Sequence, residues 1–250
     1  MPTFPYILAD FSLPLALCAL LAGIVRGFSG FGLSAVLVAS GSFFIAPKSL
    51  IPAAQFLEIV GSLSLLKSVW KDVNWRWLKA MAAGYFVSVP LGVAALAYAP
   101  QVALRVAGCV VILIASLCLL ANLRLPLRDG LGFRFGTGLM AGFLAGASSV
   151  GGMMASVVLF AAELPAKSLR ATLVVLFFFS GIYSLTWGLW HGVANTKTFS
   201  LGATLAIPML IGIAIGIRGF SIVTPEQFKR YVLMILAVLA LAGIVSVAFA

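Results

Sequence analysis

The chain has 250 residues, is 63% hydrophobic and only 9% charged, and carries a formal net charge of +10. Charges kept to the ends of long apolar runs exclude a soluble globular domain and place the chain in a bilayer. The basic residues fall in short loops between those runs, which is the positive-inside pattern of a membrane protein and excludes nucleic acid as a partner.

Apolar segments are predicted in chain order at about Phe11–Val25, Leu33–Ile45, Leu50–Val69, Trp77–Ala97 and Val102–Ala121. A second series follows at about Phe135–Ala145, Gly152–Ala162, Leu169–Trp190, Phe199–Ile217 and Glu226–Phe249. A spanning helix needs about 20 apolar residues, so the last three segments of each series are long enough to cross and the first two are short. No Lys or Arg precedes Arg26, so a signal-peptide n-region is lacking and the first segment is expected to stay as a membrane element. Pro90 and Pro208 are expected to kink their segments. Cys18, Cys109 and Cys118 lie in apolar runs without metal-ligand spacing and read as packing residues. His191 and the tryptophans suit the membrane interfaces. No metal and no cofactor is expected.

The two series are copies. Gly23, Gly27, Ser29 and Gly32 recur 119 positions later as Gly142, Gly146, Ser148 and Gly151, and Lys48-Ser49-Leu50 recurs as Lys167-Ser168-Leu169. Later insertions raise the offset to 125, which pairs Pro100 and Arg105 with Pro225 and Arg230. One duplication therefore divides the chain into a first membrane repeat, residues 1–122, and a second, 123–250, forming one transport unit.

Loop charges choose between a parallel and an inverted second repeat. With Lys67, Lys71, Arg76 and Lys79 in the cytoplasm, an inverted repeat also places Arg124, Arg128, Arg134, Lys167, Arg170, Arg218, Lys229 and Arg230 inside, twelve cations in all. Lys48 and Lys197 stay outside, with Arg105 near the outer end of its helix. A parallel repeat puts only eight inside. Lys/Arg bias sets orientation, so the expected fold is all-α and polytopic, with two inverted-topology repeats and both termini outside the cytoplasm. Each repeat then has a Gly-rich broken or re-entrant helix pair followed by three transmembrane helices. Whether each Gly-rich pair is a broken helix, a hairpin or a full double crossing stays open.

Matched Gly-rich interruptions in two halves of a membrane protein point to a transporter binding site. Unpaired backbone groups cannot face lipid, so such a break must line a protected cavity. Beyond each break a helix begins, near Leu33 and near Gly152, and its free N–H groups and dipole attract an anion. Gly30, Gly32, Gly151 and Gly152 are expected to bring backbone close to that anion, with Ser29, Ser34, Ser148 and Ser149 as hydroxyl donors. Gly23-x-x-x-Gly27 and Gly142-x-x-x-Gly146 fit close helix packing instead. Arg26 is the one basic residue at a break, a candidate partner for the anion, although Ala145 stands at the matching position. Glu58 lies mid-segment; it is a candidate proton carrier, with Gln55 beside it, or a structural partner of Arg26.

The pattern Gly-x-x-x-Gly-x-x-Gly-x-Gly at Gly23, Gly27, Gly30 and Gly32 is repeated at Gly142, Gly146, Gly151 and Gly152, with Ser149 in place of the third glycine. It resembles the sulfite exporter TauE/SafE family of small bacterial membrane permeases. The family tends to have a further glycine after this run, where Leu33 and Ser34 stand here. The resemblance implies a cell-membrane transporter, in the bacterial inner membrane, for sulfite, sulfoacetate or a related sulfonate. Protons or sodium are the candidate coupling ions. Two other classes are weaker. An enzyme on a lipid-linked substrate requires a nucleophile with its base, paired acids or a metal. A cation channel or metal exporter requires several acidic or soft ligands, and one Glu is too few.

Overall fold

The computed structural model describes residues 13–121 and 130–219, with residues 233, 234, 237, 238, 240 and 241 beyond them. Among the described residues the chain is all-α: α1 (Leu13–Ser29), α2 (Leu33–Gly41), α3 (Pro47–Val69), a 3-10 turn (Trp70–Asp72), α4 (Trp75–Tyr98), α5 (Gln101–Leu120), α6 (Leu131–Ser148), α7 (Gly151–Ala161), α8 (Ala166–Trp190) and α9 (Thr196–Gly219). Arg124, Arg128, Lys229, Arg230 and the 122/123 boundary lie outside the described residues, as does most of the segment expected over Glu226–Phe249.

Among the described residues five helices are long and apolar enough to cross a membrane: α3 with its 3-10 turn, α4, α5, α8 and α9. They are the segments whose length and hydropathy satisfy the bilayer requirement in the sequence, since a helix pairs all its interior backbone groups within itself. The protein is therefore a multi-pass membrane protein. Local chemistry sets several ends. Asn74 caps α4 by accepting the Trp77 N–H at 3.2 Å, and Pro47 opens α3 at its first turn. Pro90 and Pro208 lie inside α4 and α9, each of which is continuous through its proline.

Two helix pairs are built on glycine. On α1, Gly23 and Gly27 face the backbone of Met209 and Ile213 on α9, while Gly212 and Gly216 of α9 face Leu20 and Ile24 on α1. On α6, Gly138, Gly142 and Gly146 face Met81, Tyr85 and Val89 of α4, and Gly84 and Gly92 return the contact. Positions rise together along both partners, so each pair runs parallel. Without a Cβ at these sites the backbones approach closely, which is how helices associate where lipid offers no hydrophobic gradient. This packing also explains why α1 continues past Val25 to Ser29 and α6 past Ala145 to Ser148. Gly27 and Gly146 are buried helix residues held by a partner, and each break is confined to the few residues between the end of one helix and the start of the next.

The central pair is α3 against α8. Gly181 of α8 lies against Ile59 and Gln55 near the middle of α3. The Asn74 N–H, just beyond the α3 end, donates to Thr172 Oγ1 near the α8 start at 3.0 Å. At the opposite end, Lys48 Nζ donates to the Ala97 carbonyl at 3.0 Å, and Tyr98 meets His191 ring to ring. The start of α3 thus shares an end of the molecule with the finish of α8, and the two helices are antiparallel.

Not every loop cation is a free surface charge. Arg134 is buried at the start of α6, its guanidinium 5.3 Å from the centre of the Trp77 ring. Arg170 of α8 donates from Nη2 to the Gly27 carbonyl at 3.0 Å, and its aliphatic stem lies against Gly30. It thereby satisfies one of the carbonyls that a helix end leaves open.

Candidate functional site

The first break is three residues, Gly30-Phe31-Gly32. Gly30 and Gly32 have φ of 80° and 88°, a left-handed geometry that glycine adopts without steric cost. Ser29 serves the turn itself: its hydroxyl donates at 2.8 Å and accepts the Phe31 N–H at 3.3 Å. After Gly32 the chain enters α2, whose second residue is Ser34.

Glu58 comes to that helix start from the middle of α3. Its Oε1 accepts the Ser34 N–H at 3.2 Å and the Ser34 hydroxyl at 2.8 Å. Its Oε2 is 3.1 Å from Arg26 Nη1. Arg26, with no exposed surface, also donates from Nη2 to Ser62 Oγ at 2.6 Å. Its guanidinium lies 4.9 Å from the centre of the Phe177 ring. A buried carboxylate at a helix N-terminus, with an arginine on its other oxygen, satisfies the requirement that interior charges be paired.

The second break is Ser149-Val150. Ser149 has φ 58°, so the left-handed position of Gly30 recurs at the matching place in a residue with a side chain. The N-cap of α7 is Val150, whose side chain offers no cap. Gln55 of α3 reaches over from the other half and donates from Nε2 to the Ala145 carbonyl at 3.2 Å.

One cavity joins these parts. Gly32 and Ser34 line it from the first break, Ser149, Val150 and Gly152 from the second, Gln55 and Glu58 from α3, and Phe177, Ser180 and Ser184 from α8. Backbone, hydroxyls and one carboxylate thus meet between two helix starts, without any side-chain cation on the lining.

A family model described as sulfite exporter TauE/SafE matches residues 15–243. The chain belongs to the TauE/SafE family. No similar curated protein and no similar solved structure was found. As a TauE/SafE protein it is a membrane transporter and not an enzyme.

In this TauE/SafE chain the residues expected at the site divide into two sets. Gly32, Ser34, Ser149, Gly152, Gln55 and Glu58 line the cavity. Arg26, Ser29, Gly30, Ser148 and Gly151 are not on its lining. Arg26 is held by Glu58 and Ser62, and Ser29 by the first turn. Gly30 packs on Arg170, and Ser148 bonds back to the Leu144 carbonyl at 2.9 Å. Gly151 lies hard against the Ala141 carbonyl and Ala145. Phe177, Ser180, Ser184 and Ser62 were not singled out from the sequence. Their signal was weak: Ser62 is one turn beyond Glu58 on its helix, and the others sit in an apolar run with no break.

Ser149 allows structure and lining to be separated. Ser149→Gly removes the strain of a left-handed non-glycine residue, so stability should hold or rise by up to about 1 kcal/mol. The lining hydroxyl is lost at the same time. Ser149→Val, with a branched Cβ at positive φ, should lower stability. Thermal unfolding in detergent reads both effects.

Proposed function

We propose that the protein is a secondary transporter for a small anion, a sulfur oxyanion or organosulfonate such as sulfite or sulfoacetate. In this reading it works by alternating access around a site near the middle of the membrane. The observation that carries this reading is the single cavity in which Gly32 and Ser34 from one break meet Ser149, Val150 and Gly152 from the other. Helix starts offer unpaired N–H groups and a favourable dipole to an anion. Ser34 and Ser149 add hydroxyl donors, Gly32 and Gly152 admit the ligand close to backbone, and Gln55 and Glu58 supply the remaining polar lining. Arg26, one step back from the lining, neutralises the Glu58 carboxylate. Ser29, Gly30, Ser148 and Gly151 act by holding the two breaks in shape.

Two inverted repeats, residues 1–122 and 123–250, suit this mechanism. The antiparallel α3 and α8 support inversion, because matching helices of a parallel repeat would cross in the same sense. Reciprocal packing supports it too: α1 of the first half pairs with α9 of the second, and α6 of the second with α4 of the first. Each Gly-rich pair then enters and returns as a hairpin, and both termini face away from the cytoplasm of a bacterial inner membrane. An inside-negative potential of 100 mV favours outward movement of one negative charge by about 2.3 kcal/mol, so export needs no coupling ion. Uptake needs symport with protons or sodium.

Anion flux through the purified protein in liposomes tests the reading. Sulfite and sulfoacetate should show saturable flux above sulfate and chloride. Gly152→Val, whose side chain would collide with the Phe177 ring, should cut that flux at least about tenfold, the equivalent of 1.4 kcal/mol in transport barrier. Absence of anion flux under any imposed gradient would refute the proposal.

A further inference from the structure

The first helix start already holds an anion, and it is the protein's own. Glu58 takes the Ser34 N–H, the Ser34 hydroxyl and Arg26 Nη1, which are the donors an incoming anion would need there. At the start of α7 it is the Phe177 ring that lies against Gly152. At the place in the second half that matches Glu58, 119 residues on, stands Phe177, and Ala145 matches Arg26. The two helix starts facing one cavity are therefore unequal: one is filled by a carboxylate and the other faces an aromatic ring.

Arg26 also keeps donor capacity in reserve. Among the described residues its buried Nε and Nη1 have no hydrogen-bond partner, so the guanidinium is satisfied only by its ion pair with Glu58 and by the bond from Nη2 to Ser62. A buried, under-used cation beside a helix start is a strong anion attractor once its carboxylate is neutralised.

We infer that Glu58 is a built-in blocking anion: its carboxylate and a transported anion exclude one another at the α2 start, and proton uptake by Glu58 yields the Ser34 donors and the Arg26 charge to the anion. This rests on the anion-transport reading and adds the coupling to it. The proton comes from water in the cavity and bonds to a Glu58 carboxyl oxygen; no other bond forms or breaks. One proton and one monovalent anion enter together, so the charge of the site is the same before and after loading. Arg26 from α1 is the charged group in contact with Glu58. Tyr85 from α4 lies within electrostatic range of Glu58, and Arg170 from α8 within range of Arg26. On the other packed helices, α2 brings no titratable side chain, α5 brings Cys109 and Cys118 with Arg105 in its first turns, and α9 has Lys197 and Arg218 only near its ends.

Calorimetric binding to the full-length protein in detergent tests the coupling, in two buffers of different ionisation heat. Methanesulfonate serves as the probe because its single negative charge is constant over the working range, whereas sulfite and the carboxyl group of sulfoacetate titrate. The wild type should take up about one proton per anion, with affinity falling by up to about tenfold for each rise of one pH unit. Glu58→Gln should bind with no proton uptake and a flat pH profile. Should that variant fail to fold, the double variant Arg26→Gln/Glu58→Gln, which leaves no charge unpaired, should bind more weakly and again without proton uptake. Wild-type binding without proton uptake, or proton uptake surviving in either variant, overturns the blocking role and leaves anion transport standing. Absence of binding by every form at every pH, together with absence of flux in liposomes, overturns both.

Discussion

Gly142→Ala and Gly136→Ala, six residues apart on α6, should move stability in opposite directions. A Cβ on Gly142 would lie 2.7 Å from the Tyr85 Cα and closer still to Ser88 Oγ, whereas one on Gly136 meets nothing within 4 Å. The atoms in the way at Gly142 belong partly to the α4 backbone, so the helix and not a side chain must move. Overpacking of this kind costs about 1–3 kcal/mol, and in a bilayer close packing is itself the main attraction between helices. Gly136→Ala should gain roughly 0.5–1 kcal/mol, from the lower entropy cost of an alanine in a helix. Thermal unfolding of the two purified variants checks the pair. Equal effects of either sign would mean that α4 and α6 do not meet along the glycine face.

Removing one member of the Arg26–Glu58 pair should destabilise the protein far more than removing both. Arg26→Met leaves Glu58 with the Ser34 donors alone. Glu58→Gln leaves a buried guanidinium with Ser62 and the Phe177 face. Breaking a buried pair from one side typically costs about 3–5 kcal/mol, while replacing both partners with groups of similar size is often close to neutral. The double variant Arg26→Met/Glu58→Gln should therefore recover most of the loss, giving a coupling energy of about 2–3 kcal/mol in a double-mutant cycle. Unfolding of the four forms in anion-free buffer measures it. Additive losses would show that the two side chains are not an energetic unit. An added sulfonate should restore stability to Glu58→Gln more than to the wild type, since it fills the place that the carboxylate leaves.

The long spans could be read from the sequence because a bilayer imposes a length and a hydropathy that composition alone reveals. All five long segments expected between Leu50 and Ile217 coincide with helices of spanning length. The paired breaks were legible because glycine and serine clusters interrupt otherwise apolar runs. Their extent was not. Gly23 and Gly27, assigned to close packing by their spacing, are interior helix residues whose missing side chains make room for α9, so the first break is shorter than the glycine run. A glycine that permits a turn and a glycine that permits close approach are the same letter, and only the partner helix distinguishes them. The partition of candidate residues was hidden for a similar reason. Ser34 and Ser29 are both serines at a break, but one faces the cavity and the other closes a turn. The pairing of Glu58 with Arg26, 32 positions away, was one of two alternatives open in the sequence, and the choice depends on how α1 lies beside α3. Phe177 gave no signal, because an aromatic residue in an apolar helix ordinarily marks packing.

The glycine seam between α1 and α9 also bears on how the protein is made. The partner that α1 needs is finished only when Gly219 has been added, 190 residues after Ser29 (219 − 29). At synthesis rates of about 5–20 residues per second, α1 waits in the membrane for roughly 10–40 s with its glycine face uncovered. The second seam closes far sooner, since α4 and α6 are separated by α5 and a short connection. The order of assembly is thus written into the wiring. The α4–α6 pair forms first as an internal template, and α1, the first of the described helices, is the last to find its place. A chain interrupted before α9 would leave that helix permanently unpartnered, a target for membrane quality control even though every residue around Arg26 and Glu58 had already been synthesised.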